Sequence, residues 1–249
     1  MKAKIKNGVL LGIRFDGKDN SSTFIMPNRV KYIDDHVFSG CSRLTGVTIS
    51  NRVTSIDDEA FLGCTGLTSV TIPDSVTRIG DEAFYGCLSL KSVTIPGSVK
   101  SIGYEAFGTC ISLTSVTIPD GVTRIGGAVF VGCLSLTSVT IPNSVTSIGY
   151  EIFAYTGNGL QVCFETGTNE INIDEKTFGS SKFKFVYLSK DGKRIVFSCY
   201  EDENLKNSSH EFDFEEGFLK LFNNNFRENL IKSKNCQKEK NIKYTSPEK

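Results

Sequence analysis

The sequence predicts a repeat solenoid with a parallel β-sheet and short helical or 3₁₀ turns, capped by hairpins and a C-terminal helix. Three observations predict it. Residues 21–158 are six consecutive copies of a 23-residue unit, with no insertion to break the register. Apolar residues fall in fixed columns: Val30 to Val145, Ile33 to Ile148 and Phe38 to Phe153 each recur every 23 residues. Cys41, Cys64, Cys87, Cys110 and Cys133 keep the same period.

Each element of the unit follows from its residues. Leu67-Thr-Ser-Val-Thr-Ile72 is β-branched and partly alternating, which predicts a short strand. Pro73 ends it, because proline has no N–H to give a ladder. Val76 and Ile79 are expected to point inward along an extended return. Gly80-Asp81-Glu82-Ala83-Phe84 reads as one helical or 3₁₀ turn with acids near its start. Gly63, Gly86 and Gly132 are expected at positive φ, although Thr109 holds the same position in the fourth copy. One turn buries too little to stand alone. Stacking turns about 4.8 Å apart joins the columns into one core, and six strands give a sheet about 25 Å across.

The pattern Leu-x-x-Val-x-Ile-Pro…Ile-Gly-x-x-Ala-Phe-x-Gly-Cys resembles the BspA-like (Treponema-type) leucine-rich repeat. The departures are Met26 at an Ile position, and Val37, Val129 and Ile152 in the Ala column. The resemblance implies a leucine-rich-repeat solenoid, protein binding and adhesion at a cell surface.

An array needs capped ends. Residues 1–20 hold two short apolar runs around Asn7-Gly8, which predicts a hairpin cap. Residues 159–181 read as a degenerate seventh repeat, with Ile173 and Phe178 keeping the Ile-to-Phe spacing. In residues 182–232 a hairpin around Asp191-Gly192 is followed by Phe214, Phe218, Phe222 and Phe226 at helical spacing. Residues 233–249 are Lys-rich and weakly apolar, which predicts a disordered tail.

Composition narrows function. Of 249 residues, 28 are Lys or Arg and 28 are Asp or Glu, so no global field argues for nucleic acid. No run approaches the length of a membrane span, so no membrane insertion is expected. The N-terminal apolar run is too short for a signal peptide, which points to the cytoplasm, whereas the resemblance points to the cell surface. The chain is expected to be a monomer without cofactor or metal. The eight cysteines include no close pair of the zinc-site kind, so the column reads as small buried hydrophobes. His36, expected exposed, and His210, expected in a polar loop, adjoin no nucleophile motif. Glu59, Glu82, Glu105 and Glu151 read as solvated acids on the outer turn.

The remaining candidate site is the strand face turned away from the core: Thr48, Thr68, Ser69, Thr71, Lys91, Ser92, Thr94, Thr114, Ser115 and Thr117. It is flat, hydroxyl-rich and almost uncharged. The same residues are what β-propensity and solubility alone would select. The leading reading is a non-catalytic interaction scaffold binding protein or glycan through this face. The alternatives are a spacer array presenting a functional C-terminal region, and an enzyme with an unrecognised site.

Overall fold

A computed structural model describes residues 2–14, 22–157, 159–165, 175–178, 185–188, 194–198 and 209–211. The chain opens with β1 (Lys2–Lys6) and β2 (Val9–Arg14), an antiparallel hairpin turning at Asn7 and Gly8. Each repeat then contributes two strands, one short and one very short. They are β3 (Thr23–Ile25) and β4 (Tyr32–Ile33), β5 (Gly46–Thr48) and β6 (Ser55–Ile56), and β7 (Ser69–Thr71) and β8 (Arg78–Ile79). The series continues with β9 (Ser92–Thr94) and β10 (Ser101–Ile102), β11 (Ser115–Thr117) and β12 (Arg124–Ile125), and β13 (Ser138–Ile141) and β14 (Ser147–Ile148). Beyond the array come β15 (Gln161–Glu165), α1 (Glu175–Phe178), β16 (Phe185–Leu188), β17 (Arg194–Ser198) and β18 (Ser209–Glu211).

These strands form two sheets around one core. The first runs β3-β5-β7-β9-β11-β13-β15 in parallel and continues antiparallel through β17, β16 and β18. The second runs β1-β2-β4-β6-β8-β10-β12-β14, parallel from β2 onward. The expected extended return past Val76 and Ile79 is therefore a sheet in its own right. Two residues per strand are too few to show a period. The N-terminal hairpin extends the second sheet, and the β15–β18 segment extends the first. The Asp191-Gly192 turn, the stripe from Phe214 to Phe226 and the tail 233–249 lie outside the described residues. His210 sits in β18 opposite Val186, not in a loop.

Register is like over like. Val70 pairs with Val93 and Ile79 with Ile102, so every apolar column is continuous. The Phe column is the most regular. Phe38, Phe61, Phe84 and Phe107 stack with centroids 4.7, 5.0 and 5.4 Å apart and planes within 6° of parallel. The stack continues through Phe130 and Phe153 to Phe178, 6.3 Å beyond. It ends edge-on at both extremes, on Phe24 and on Phe164. The rings from Phe38 to Phe178 are all at most 1% exposed.

The third side of the coil differs from expectation. Among the described residues the repeats contain no helical segment there. His36, Glu59, Glu82, Glu105, Ala128 and Glu151 adopt φ between 49° and 60°. A left-handed residue at that position stops a helix from propagating. Such a conformation costs a non-glycine residue about 1–2 kcal/mol. Its return is a third ladder between repeats. Glu82 N–H donates to the Tyr104 carbonyl at 2.7 Å, and Phe84 N–H to the Ala106 carbonyl at 2.8 Å. Those N–H groups serve the next repeat instead of their own turn.

Gly63, Gly86 and Gly132 lie at φ 64° to 70°, as expected, Gly40 joins them at φ 68°, and Thr109 is forced to φ 51° in the same column. A β-branched residue there is strained. Thr109→Gly should therefore raise the unfolding free energy by about 1 kcal/mol in denaturant titration. Phe84→Ala, which opens a hole in the middle of the stack, should lower it by about 3–5 kcal/mol.

Candidate functional site

The outer face of the first sheet is built by strict alternation. In Ser69-Val70-Thr71 the Val is buried and its neighbours are exposed, and β9 and β11 repeat this. Parallel pairing then sets Ser69, Ser92 and Ser115 in one row. Thr48, Thr71, Thr94 and Thr117 form another. Thr68, Lys91 and Thr114 stand one residue before the strands and are also exposed. The structure thus brings all ten sequence-selected residues onto one continuous surface.

Not all of their hydroxyls are available. Thr68 Oγ1 donates to the Thr45 carbonyl at 3.0 Å, and Thr114 Oγ1 to the Lys91 carbonyl at 3.2 Å. These hydroxyls tie adjacent repeats together. Ser69, Thr71, Ser92, Thr94, Ser115 and Thr117 make no side-chain hydrogen bond among the described residues. Lys91 is the only charge on the strands and leading positions of β7, β9 and β11.

Titratable groups gather elsewhere, on the left-handed side. His36 Nε2 lies 2.8 Å from Glu59 Oε2 at the surface. Arg78 pairs with Asp58 at 2.8 Å and with Asp57 at 3.6 Å. Asp58 Oδ1 also accepts from the Asp81 N–H, and Asp81 Oδ1 from the Tyr104 N–H, at 2.9 and 2.8 Å. These acids hold the next repeat's turn. The Glu column is not a row of helix-start acids: Glu59, Glu82 and Glu105 are half-buried and stacked on one another. Burial, then the charges of Glu59, Glu105 and Asp81, raise the Glu82 pKa, with His36 opposing them. Glu105, accepting from the Tyr104 hydroxyl, raises that phenol well above its usual range, and burial adds to it.

The Cys column is buried as expected from Cys64 to Cys133, with Cys41 half-buried. Its sulfurs have a task that residue spacing did not reveal. Each thiol donates to a Phe carbonyl of the preceding repeat: Cys64 to Phe38 at 3.0 Å, Cys87 to Phe61 at 3.3 Å, Cys110 to Phe84 at 3.3 Å and Cys133 to Phe107 at 3.2 Å. Burial pushes Cys87 and Cys133 up to about 12 and raises Cys64 and Cys110 as well. Among the described residues no three His, Cys, Asp or Glu side chains cluster as a metal site. No described helix is long and apolar enough to cross a membrane.

A two-sheeted parallel solenoid with this column pattern defines a leucine-rich-repeat protein. The profile of the BspA type leucine rich repeat region matches residues 13–133 and 77–206 in six copies. The chain belongs to that family. Among solved structures it is similar to the leucine-rich repeat protein of T. pallidum, at 25% identity and TM-score 0.52, covering 59% of this chain and 80% of that one. A leucine-rich repeat protein from Bacteroides ovatus is 32% identical with TM-score 0.49, over 54% of this chain and 41% of that one. A leucine-rich cell surface protein from Faecalibacterium prausnitzii is 27% identical with TM-score 0.47, over 75% and 55%. The chain thus spans well under half of the Bacteroides protein. No curated protein matches.

Two outcomes test this chemistry. In the native protein Cys64, Cys87, Cys110 and Cys133 should resist a thiol reagent at pH 8 and label only on unfolding, read by peptide mass mapping. The folded state raises the Glu82 pKa, so it holds that proton more tightly than the unfolded chain does. Ionised Glu82 therefore lowers stability above its folded pKa, and the penalty fades as pH falls through that value. Glu82→Gln should raise the melting temperature at pH 7, with a gain that shrinks on acidification through the carboxylate range.

Proposed function

We propose that the protein is a non-catalytic scaffold that docks a protein or glycan partner on the outer face of the first sheet, at a cell surface. The observation that carries this reading is the pair of in-register rows Ser69–Ser92–Ser115 and Thr48–Thr71–Thr94–Thr117, exposed and backed by a core that fixes their spacing. Membership of a repeat family found in surface proteins supports the class of function. The face offers hydroxyl donors and acceptors at fixed intervals and a single cation at Lys91. Such a surface suits a broad contact made of many weak hydrogen bonds.

The test begins with capture of a partner by the intact chain. Thr71→Ala, Lys91→Ala and Thr94→Ala together should weaken that partner at least about tenfold, or about 1.4 kcal/mol, with an unchanged melting temperature. Unchanged affinity in the triple variant would rule out this face.

A further inference from the structure

The second sheet has an outer face of different chemistry. Ala3 and Ile5 pack toward the core, so Lys4 and Lys6 of β1 project outward. In β8 and β12 the Ile is buried and Arg78 and Arg124 are exposed. Lys31 and Lys100 stand immediately before β4 and β10, also exposed. No Asp or Glu occurs within β1, β4, β6, β8, β10, β12 or β14, or at the position leading into each repeat strand of this sheet. Arg78 is neutralised by Asp57 and Asp58. Lys31, Lys100 and Arg124 form no ion pair among the described residues.

Sheet order fixes the spacing of these charges. Arg78 and Arg124 are two strand steps apart, about 10 Å, and Lys31 and Lys100 three steps apart, about 14 Å. From β1 to β12 is six steps, about 29 Å. Apart from Arg78, which its acids neutralise, the cations therefore follow the stacking axis. Ser55 and Ser101 lie between them with hydroxyls that make no hydrogen bond among the described residues.

We propose that this face binds an acidic polysaccharide laid across the strands. A polymer that repeats carboxylate or sulfate groups can meet cations at several strands in turn, and its neutral hydroxyls can pair with Ser55 and Ser101. A flat surface suffices, since no groove is needed to contact a flexible anionic chain. Nucleic acid fits less well. Tyr32 is the only aromatic outward on the repeat strands of this sheet, so bases find no row of stacking partners, and the chain carries no net positive charge. The face is separate from the Ser/Thr rows of the first sheet, so either reading can fail without the other.

The test uses the full chain with dextran sulfate, uncharged dextran and duplex DNA of matched charge as immobilised probes. Dextran sulfate should bind and uncharged dextran should not, with affinity falling at least about tenfold between 50 and 200 mM salt. Arg124→Glu and Lys100→Glu should each weaken binding about fivefold. Arg43→Glu, the same charge reversal on a turn beside the first sheet, should change it less than about twofold. Thermal unfolding of each variant separates lost binding from lost fold. Failure to bind dextran sulfate at low salt would overturn the proposal. So would equal loss in Arg43→Glu, which would reveal a diffuse charge effect. Duplex DNA binding as tightly as dextran sulfate would assign the face to nucleic acid instead.

Discussion

Backbone hydrogen bonding between successive repeats is the constraint on which the other features depend. An unpaired buried N–H or C=O costs as much as a lost hydrogen bond, so each turn of the coil must place its polar groups against the next turn. Three ladders do this here: the first sheet, the second sheet and the left-handed turns of the Glu column. All three require the same chain length in every repeat. An inserted residue would shift a strand by one position and turn its buried side chains outward. The fixed 23-residue period is therefore imposed by the backbone. The apolar columns follow from it, because residues at the same position in successive repeats are held one strand spacing apart.

Given that geometry, the side chains reinforce the backbone at each level. The Phe rings stack nearly face to face because the ladders hold them near one strand spacing. The Cys thiols and the Thr hydroxyls take up second lone pairs of carbonyls in the preceding repeat. A thiol is small enough for the slot beside Phe and still donates a weak bond. This explains why the column holds Cys and not Ala. It also shows why repetition speaks to fold and not to partner, since the most regular residues are the ones engaged with their own neighbours.

The core was legible in the sequence because burial leaves a periodic trace. Val, Ile, Phe and Leu columns gave the stacking axis and the strands of the first sheet, and alternation in Ser69-Val70-Thr71 gave the exposed rows. The second sheet left its Ile column but no alternation within a strand. Arg78-Ile79 has one residue facing each way, and its identity as a strand depends on partners 23 residues away on either side. The left-handed Glu positions were hidden for another reason: glutamate favours helix by local propensity, and the inter-repeat ladder overrides that preference. In the candidate site, exposure was readable, but which hydroxyls are spent was not. Thr68 and Thr71 have the same composition cue, and only the stacked geometry gives one of them a carbonyl to bind.

Like-over-like stacking favours apolar columns and penalises charged ones, and the charges of this chain show how the conflict is managed. Where opposite signs meet among the described residues they pair, as Arg78 does with Asp57 and Asp58, and elsewhere like charges are kept apart along each column. Within a column, cations are spaced by neutral residues: Arg78, Ser101, Arg124 and Ser147 alternate, as do Thr68, Lys91 and Thr114. Two strand spacings separate the cations by about the screening length at physiological salt, so their mutual repulsion is small. The Glu column breaks this rule, with Glu59, Glu82 and Glu105 in succession, and the middle member carries the raised pKa. Its relief comes at the ends, from His36 before Glu59 and from Ala128 after Glu105. The alternating cations thus meet the demands of stacking at little cost in repulsion. Within the second sheet the acids of the preceding turn take up Arg78, which leaves Arg124, with Lys31 and Lys100 at the positions leading into their strands, as cations without an ion pair among the described residues.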